Sequence, residues 1–359
     1  MMGPTALIDL SALRFNLQRA AQLAPNSRLY AVIKANAYGH GLLRVARALT
    51  AADALAVARV EEGVQLRQAG VTRPILVLEG FFTIDELEAA SCYQLEVAIQ
   101  QPEQIKLLRD HPISQPITCW LKIDTGMHRL GFQPDDVEAA WAFLNNHSSV
   151  SKEVRVMTHL SSGDDLSDPA TGQQLGCFQA FSERFKTATS IANSAGIIAW
   201  PDTRTDWARP GIMLYGASPM LGRTGLDEGL KPVMTLKSRI IAINRFSKGS
   251  PIGYSGSWVC PEDMRVAVVA AGYGDGYPRH APSGTPVLLN QQQVPLIGRV
   301  SMDMLNLDLR SQPEAQVGDE VTLWGEGLPA ELIAEQAGTI AYELFCGVTQ
   351  RVEFQEIAS

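Results

Sequence analysis

The chain is organised around the segment LYAVIKANAYGHG, which runs from Leu29 to Gly41. Its first five residues are apolar or aromatic and predict a buried strand, and Lys34 follows directly at the end of that strand. Burying an ammonium group without a partner is costly, and burial also lowers the pKa of the amine and makes it nucleophilic. Lys34 is therefore either a lysine whose ammonium reaches water at the mouth of the strand or a catalytic nucleophile. A glycine-containing turn follows, and a helical pattern begins at Leu42.

The length and composition of the chain limit its class. It has 359 residues, which is typical of about two domains, and 46% of them are hydrophobic while 19% are charged. Such a chain can bury a full core and is not disordered. The formal net charge of -8 argues against nucleic acid or an anionic membrane as the main partner. The five cysteines show no spacing typical of a metal site, so no metal is expected.

The N-terminal segment gives no sign of export. The residues from Met1 to Asp9 lack a basic region followed by an apolar core and a cleavage site. No apolar run is long enough to span a bilayer, and scattered cysteines are typical of reduced thiols. We therefore expect a cytoplasmic protein.

Short apolar runs alternate with helical patterns over the first part of the chain. The predicted strands are Leu29–Ile33, Ala54–Ala58, Ile75–Leu78, Gln94–Ile99, Ile117–Ile123, Val154–His159, Ser190–Asn193 and Ile212–Tyr215. The predicted helices between them are Leu42–Ala48, Val60–Ala69, Ile84–Ala90, Pro102–Arg109, Pro134–Asn145 and Gln174–Lys186. Eight strands that alternate with helices predict a closed (β/α)8 TIM-like barrel. An open dinucleotide-binding sheet is disfavoured, because neither Gly39-His40-Gly41 nor the segment 272–276 fits the pattern G-x-G-x-x-G.

Charged and polar residues end the predicted strands. They are Lys34, Arg59, Glu79, Lys122 with Asp124, His159, and Asn193 with Ser194. A barrel carries its chemistry at the carboxyl ends of its strands, and a purely structural rim does not need so many charges. This pattern predicts an active site at that end of the barrel.

The pattern changes after about Leu230. The strands predicted there are Val233–Ile243, Arg265–Ala270, Thr285–Leu289, Val294–Val300, Leu305–Leu309 and Glu320–Trp324. Turn-forming residues separate them, which is typical of a mainly antiparallel β domain. Two helices are expected near the end, over Pro329–Ala337 and Ala341–Val348. We therefore expect a barrel domain over residues 1–230 and a β domain over residues 231–359.

Six blocks of sequence carry a family resemblance. They are Val32–Gly41, Leu121–Phe132, Asp206–Gly216, Gly253–Gly256, Ala271–Arg279 and Gly298–Met304. In this order they resemble the alanine racemases over nearly the whole chain, and the first block resembles that family's lysine motif for pyridoxal 5′-phosphate (PLP). The resemblance implies a PLP-binding barrel followed by a β domain that contributes the second catalytic base and dimer contacts, in agreement with the pattern of strands and helices.

The resemblance implies four catalytic residues. Lys34 would form a Schiff base with PLP and act as the acid/base on one face of the cofactor. Tyr254 would act on the opposite face, because racemisation removes a proton from one side of Cα and returns one on the other. His159 and Arg209 would polarise the phenol of Tyr254, and Arg209 would also face the pyridine nitrogen. Since arginine keeps its proton, that nitrogen should stay unprotonated, which favours racemisation over transamination.

The resemblance also implies a set of binding residues. Those for the cofactor are Lys34, Tyr38, Ser194, Arg209, Gly211, Ile212 and Tyr342. Those for the substrate carboxylate are Arg129 and the backbone N–H of Met302. Those lining an entry channel are Tyr273, Arg279, Arg299 and Asp303. Lys122 matches a lysine that is carbamylated in many members of the family.

The same resemblance implies a homodimer with shared active sites, because Tyr254, Tyr273 and Met302 reach the cofactor of the other subunit in that family. The monomer should then be inactive. The segment Leu160–Asp165 departs from the family, in which an aromatic residue and an alanine precede the acids. This departure bears on substrate access.

The resulting hypothesis is an alanine racemase that interconverts L- and D-alanine by a two-base PLP mechanism, either supplying D-alanine for peptidoglycan or serving alanine catabolism. The alternative is a broad-spectrum racemase of the same fold that acts on serine or basic amino acids. Tyr342 and Tyr273 would narrow the site and so favour a methyl side chain. A barrel decarboxylase is disfavoured because it needs an acidic residue in place of Arg209. A non-enzymatic PLP-binding barrel is disfavoured because it would lack the second domain.

Overall fold

The computed structural model describes residues 3–357. Met1, Met2, Ala358 and Ser359 lie outside this range, so the N-terminal prediction about export and the outer limits of both predicted domains fall partly outside it. The described chain forms a closed parallel barrel followed by a mainly antiparallel sheet. The predicted fold class is confirmed.

The barrel is built from eight parallel strands, preceded by one strand, β1 (Thr5–Asp9), that belongs to the large sheet. The barrel strands are β2 (Arg28–Val32), β3 (Ala54–Val57), β4 (Ile75–Val77), β5 (Glu96–Ile99), β6 (Cys119–Lys122), β7 (Arg155–Met157), β8 (Thr189–Ser190) and β9 (Trp207–Ala208). Each pairs in parallel with the next, and the pairing of Arg28 with Trp207 closes the circle. Most of their side chains are buried, as expected for strands covered by helices on the outside and filled by side chains inside.

Helices and short turns connect these strands. The helices of the barrel region are α1 (Leu10–Leu23), α2 (Lys34–Tyr38), α3 (Leu42–Ala48), α4 (Val60–Gln68), α5 (Ile84–Cys92), α6 (Pro102–Asp110), α7 (Val137–Asn146), α8 (Ala170–Phe185) and α9 (Ser194–Ala199). The 3₁₀ turns Pro134–Asp136 and Pro201–Thr203 lie between barrel strands, and Ile212–Tyr215, Leu226–Glu228, Tyr254–Gly256 and Tyr273–Asp275 follow β9. The six predicted helices are confirmed to within a few residues at their ends.

The predicted eighth strand is wrong. The segment Ile212–Tyr215 is a 3₁₀ turn, and the eighth barrel strand is the two-residue β9 before it. An apolar run of four residues predicts burial but cannot distinguish a strand from a buried turn. The four side chains are indeed buried, but in contact with α1. The hydroxyl of Tyr215 donates to the carbonyl of Val32 at 3.0 Å, which ties this turn to the end of β2.

The large sheet follows the barrel in the chain. Its further strands are β10 (Met234–Phe246), β13 (Met264–Val269), β14 (Pro286–Leu289), β15 (Gln292–Ile297), β16 (Leu305–Asp308), β17 (Glu320–Trp324) and β18 (Glu353–Ile357). Between β10 and β13, the strands β11 (Pro251–Ile252) and β12 (Trp258–Val259) form a small separate hairpin. The order in the sheet is β13-β16-β15-β14-β17-β10-β1-β18. The strand β1 runs antiparallel to β10 and parallel to β18. The domain boundary near residue 230 stays a prediction, and β1 lies on its N-terminal side although it pairs within this sheet.

Two further helices, α10 (Ala330–Gln336) and α11 (Ala341–Gly347), lie between β17 and β18. Helix α11 packs against α2 at the mouth of the barrel. The contact is so close that a Cβ atom on Gly39, the residue after α2, would lie 2.1 Å from the carbonyl oxygen of Phe345. Residues of the C-terminal part of the chain therefore reach the carboxyl ends of the barrel strands. Among the helices of residues 3–357, none combines the length and the hydropathy that a membrane crossing requires.

Candidate active site

A cavity of about 490 Å³ opens at the carboxyl ends of the barrel strands. Its walls are formed by Val32, Lys34, Ala35, Tyr38, Ala58, Leu78, Glu79, Lys122, Met127, Arg129, Leu130, Met157, Thr158, His159, Asn193, Ser194, Arg209, Gly211, Ile212, Tyr342 and Cys346. Six of the polar residues predicted at the strand ends line this cavity, as expected for a barrel of this kind: Lys34, Glu79, Lys122, His159, Asn193 and Ser194. Arg59 and Asp124, which were predicted at the same rim, do not line it.

Lys34 follows the end of β2 and begins α2, which is a left-handed turn and not an ordinary α-helix. Ala35, Asn36 and Ala37 have φ values of 53°, 53° and 55°, and Tyr38 has 51°. The segment therefore coils left-handed, a conformation that costs roughly 1–2 kcal/mol per residue for L-amino acids. Four consecutive residues in this region persist only when their surroundings hold them there. The turn places the side chains of Lys34 and Tyr38 in the same cavity.

The amine of Lys34 is prepared for chemistry by its surroundings. Burial, followed by the charge of Arg129, holds the pKa of Lys34 below its usual value, while Glu79 and Glu62 act in the opposite direction. Within residues 3–357 its Nζ atom forms neither a hydrogen bond nor an ion pair. A partly buried and unpaired amine with a lowered pKa is the state that covalent catalysis by lysine requires.

Arg209 is buried and is held by neutral acceptors. Its Nη1 donates to Oγ of Ser190, and its Nη2 donates to the carbonyl oxygens of Thr158 and, at 3.1 Å, Ile191. No carboxylate among the described residues forms an ion pair with it. Burial lowers the pKa of Arg209 to about 10, so the guanidinium stays charged at neutral pH. A charged group without a counter-ion directs its potential into the cavity.

Two further groups titrate in this field of cations. Burial, Arg209 and Arg129 lower the pKa of Lys122 to about 8. Burial, Arg209 and Lys122 hold the pKa of His159 well below its usual value, so the imidazole is neutral at pH 7. With Lys34 and Arg129, the cavity gathers four cationic side chains, and Glu79 is its only carboxylate among the described residues. Such a site favours an anionic occupant.

The residues predicted to hold a phosphate lie together on one side of the cavity. The hydroxyl of Ser194 accepts the N–H of Gly211 at 2.8 Å and that of Met213 at 3.4 Å. A Cβ atom on Gly211 would lie 2.6 Å from the hydroxyl oxygen of Tyr38 and 3.8 Å from Oγ of Ser194. This glycine thus leaves open a space between two hydroxyl groups. The space, the hydroxyls and the nearby cations fit the phosphate and ring of PLP.

The structure separates six predicted site residues from this cavity. Tyr254, Tyr273, Arg279, Arg299, Met302 and Asp303 lie in the C-terminal region and do not line it. The side chain of Tyr254 is 66% exposed and that of Met302 is 51% exposed, which is unusual for such apolar groups. The N–H of Gly274 donates to the carbonyl of Met302 at 2.8 Å, so Tyr273 and Met302 belong to one surface. Their predicted roles stay predictions.

Other cavity residues had no role assigned from the sequence. Cys346 lies one helical turn after Tyr342 on α11, a spacing of four that signals a shared face. Tyr215 does not line the cavity, but it stacks on the cavity residue Tyr38 with ring centroids 4.7 Å apart. No sequence signal identified this stack, because the run that contains Tyr215 was predicted to be a strand.

Family comparisons agree with this geometry. Residues 8–219 match the model for the N-terminal domain of alanine racemase, and residues 233–355 match the model for its C-terminal domain. The chain belongs to the alanine racemase family. Alanine racemase domains thus account for nearly all of it, in the order expected from the six sequence blocks.

Alanine racemases of known sequence and structure align with this chain from end to end. The biosynthetic alanine racemase of Escherichia coli O6:H1 (strain CFT073) is 50% identical over 358 residues, which cover 99% of this chain and 100% of that protein. The alanine racemase of Coxiella burnetii (strain CbuG_Q212) is 50% identical over 362 residues, with the same coverage. The crystal structure of biosynthetic alanine racemase from Pseudomonas aeruginosa superposes with a TM-score of 0.97 at 42% identity, covering 99% of this chain and all of that one.

Proposed function

We propose that this protein interconverts L- and D-alanine with PLP bound in the barrel cavity. The observation that carries the proposal is that Lys34, an unpaired amine with a lowered pKa, shares the cavity with Arg209, a cation held by neutral acceptors. The names of the similar proteins support alanine as the substrate. The comparisons give no support to a broad-spectrum racemase.

The cavity offers groups for each part of PLP. Tyr38, Ser194, the backbone of Gly211 and Ile212, and Tyr342 would hold its phosphate. Lys34 would bind its aldehyde carbon covalently, and Arg209 would lie opposite its ring nitrogen. When bound in this way, PLP withdraws electrons from the Cα–H bond of an amino acid and so makes that proton acidic.

Arg209 restricts what the cofactor can do. A guanidinium does not give up its proton at neutral pH, so the ring nitrogen opposite it remains a hydrogen-bond acceptor. With such a nitrogen a bound ring would accept less negative charge from the substrate, so return of the proton to Cα would be favoured over side reactions. Racemisation is therefore favoured over transamination.

Two acid/base groups on opposite faces of the substrate are needed for inversion at Cα. Lys34 would serve one face. Tyr254 would serve the other from a second copy of the chain, because it is exposed and lies outside the cavity of its own chain. Arg129 and the N–H of Met302 would hold the substrate carboxylate, and Tyr273, Arg279, Arg299 and Asp303 would line the entrance. The active form is accordingly a homodimer.

Lys122 is a candidate for carbamylation. Its pKa of about 8 leaves about a tenth of the amine neutral at pH 7, far more than for an ordinary lysine, and carbon dioxide reacts with the neutral amine. The resulting carbamate would be an anion among Arg129, Arg209 and Lys34, and would fix the position of Arg129. We further propose that the protein acts in the cytoplasm. Supply of D-alanine for peptidoglycan is supported by the biosynthetic relatives, while a catabolic role is the alternative.

The decisive experiment follows both the proton and the configuration. Purified protein with PLP is incubated separately with L-alanine, L-serine and L-arginine in deuterated water, and D-isomer and Cα deuterium are measured. Racemisation and exchange of alanine alone are expected. Comparable turnover of arginine would establish the broad-spectrum alternative, and absence of exchange with all three would refute the racemase assignment.

A further inference from the structure

The left-handed turn Ala35–Tyr38 needs support from outside, because its backbone conformation is unfavourable for every residue that it contains. The side chains that hold it are identified by their hydrogen bonds to its backbone. Two such side chains come from outside the turn, one at each of its ends, and neither lines the cavity.

Glu62 holds the start of the turn. Its Oε1 accepts the N–H of Ala35 at 2.7 Å, and its Oε2 accepts the N–H of Ala58 at 2.8 Å and that of Arg59 at 3.2 Å. The bonds to Ala58 and Arg59 are those of an ordinary capping residue at the start of α4. The bond to Ala35 is additional, because it crosses to the neighbouring strand end and reaches the residue next to Lys34.

His40 holds the end of the turn. Its Nδ1–H donates to the carbonyl oxygens of Tyr38 at 2.8 Å and Ala37 at 3.2 Å. The ring is fully buried and packs on Tyr215 and Phe345, and its Nε2 has no hydrogen-bond partner among residues 3–357. Burying Nε2 without a hydrogen-bond partner costs free energy. That a histidine stands here despite this cost indicates that its Nδ1–H donor is needed to hold the turn.

We propose that Glu62 and His40 are positioning residues, which hold the left-handed turn so that Lys34 and Tyr38 are preorganised for the cofactor before it binds. Glu62 fixes the side of the turn from which Lys34 emerges, and His40 fixes the side from which Tyr38 emerges. The inference rests on the proposed role of Lys34 as the residue that binds PLP. It predicts that the two residues act on different parts of the cofactor.

The test compares two phosphates that differ in one group. PLP carries an aldehyde that can react with Lys34, whereas pyridoxine 5′-phosphate carries an alcohol that cannot. The affinity of the apoprotein for each is measured by equilibrium dialysis, and stability is measured separately by urea unfolding. The wild type should bind PLP more tightly, and Lys34→Ala should abolish this preference. Failure of Lys34→Ala to do so would refute the proposed role of Lys34 itself, independently of Glu62 and His40.

Glu62 is tested by Glu62→Gln with Glu61→Gln as the matched control. Both residues lie in the first turn of α4, and both changes remove one negative charge, but the exposed Glu61 makes no side-chain hydrogen bond within the described chain. A glutamine retains the cap of α4 through its oxygen, while its amide meets the N–H of Ala35 donor to donor. PLP affinity should fall about three- to tenfold in Glu62→Gln alone, with little change for pyridoxine 5′-phosphate. Equal PLP affinities in Glu62→Gln and Glu61→Gln would overturn the proposal for Glu62.

His40 is tested by an amide pair. Asparagine places its N–H near the position of Nδ1 of histidine, whereas glutamine places it near that of Nε2, where no acceptor is available. His40→Gln should weaken binding of both phosphates, about tenfold, and His40→Asn should restore most of the loss. If His40→Gln and His40→Asn lose the same unfolding free energy and bind each phosphate with the same affinity, His40 is only a core residue and its positioning role is refuted.

Discussion

Nη2 of Arg209 lies 3.5 Å from Nδ1 of His159. An arginine only donates hydrogen bonds, so Nδ1 accepts and the proton of the neutral imidazole belongs on Nε2. His159 stays neutral because burial and the nearby cations hold its pKa well below the usual value. The pair can therefore polarise a group that contacts Nε2 without adding a second full charge next to Arg209.

The first prediction concerns the shape of the Arg209 side chain. Arg209→Lys retains the charge, but one ammonium cannot reach Ser190, Thr158 and Ile191 in the way that the guanidinium does. Misplacement of the cation should lower kcat/KM for alanine about 100-fold. Arg204→Lys is the control, since within the described chain the Arg204 side chain donates only to the carbonyls of Ile197 and Ile198, outside the cavity. An active Arg209→Lys enzyme would show that charge alone suffices.

The second prediction concerns acid stability. Burial lowers the pKa of His40 to about 4, whereas unfolded histidine titrates near 6.5. Between these values the unfolded chain binds more protons than the folded one, so stability falls as the pH is lowered from 6.5 towards 4. Protonation of His40 in the unfolded chain should lower the free energy of unfolding by about 2 kcal/mol at pH 5 relative to pH 7. Urea unfolding at both pH values should show a smaller loss for His40→Asn, and an identical loss would contradict the assigned titration.

The third prediction concerns the division of the active site between two chains. Lys34→Ala and Tyr254→Phe should each be nearly inactive as homodimers. After the two are unfolded together and refolded, mixed dimers contain one site with both groups intact, and about a quarter of the wild-type activity should return. Refolded single variants serve as controls. If both groups act within one chain, no activity will return.

The fourth prediction concerns the modification of Lys122. Protein equilibrated with ¹³C-bicarbonate at pH 8 should show a carbamate signal by NMR, because about half of the amine is neutral at that pH. The signal should be absent in Lys122→Arg and present in Lys106→Arg, in which an exposed lysine is replaced. An unmodified Lys122 at saturating bicarbonate would remove the carbamate from the mechanism.

The fifth prediction concerns the end of the barrel opposite the cavity. There Glu96 accepts hydrogen bonds from Tyr30 and, at 3.1 Å, from Nε1 of Trp120, and pairs with Arg155 at 3.4 Å. Glu96→Ala leaves a largely buried guanidinium with one remaining acid, Glu153, and should cost about 3 kcal/mol of unfolding free energy. Glu153→Ala, at an exposed position, should cost less than about 1 kcal/mol. Similar losses of unfolding free energy in Glu96→Ala and Glu153→Ala would contradict a buried network around Glu96.

Much of this fold was predictable from local patterns. Seven of the eight barrel strands and the six helices α3 to α8 between them follow from apolar runs and helical spacing, whereas the short α2 and α9 were not predicted. The eighth strand did not, because β9 has only two residues, and the stronger apolar signal at Ile212–Tyr215 belongs to a buried turn. The role of β1 was also unpredictable, since its partners β10 and β18 lie more than 200 residues away in the chain. Pairing over such distances leaves no trace in local sequence.

Local sequence pattern is enough to identify most of the polar side chains that end the barrel strands and line the cavity, and the position of Lys34 after an apolar run required no tertiary information. The protonation state of those groups is set by the folded structure. The pKa values of Lys34, Lys122 and His159 are lowered first by burial and then by repulsion from cations that lie far apart in the chain. The left-handed turn likewise depends on Glu62 and His40, because Ala35 and Ala37 have no intrinsic preference for positive φ. Charge and strain depend on distances in space, which are set only when the chain has folded.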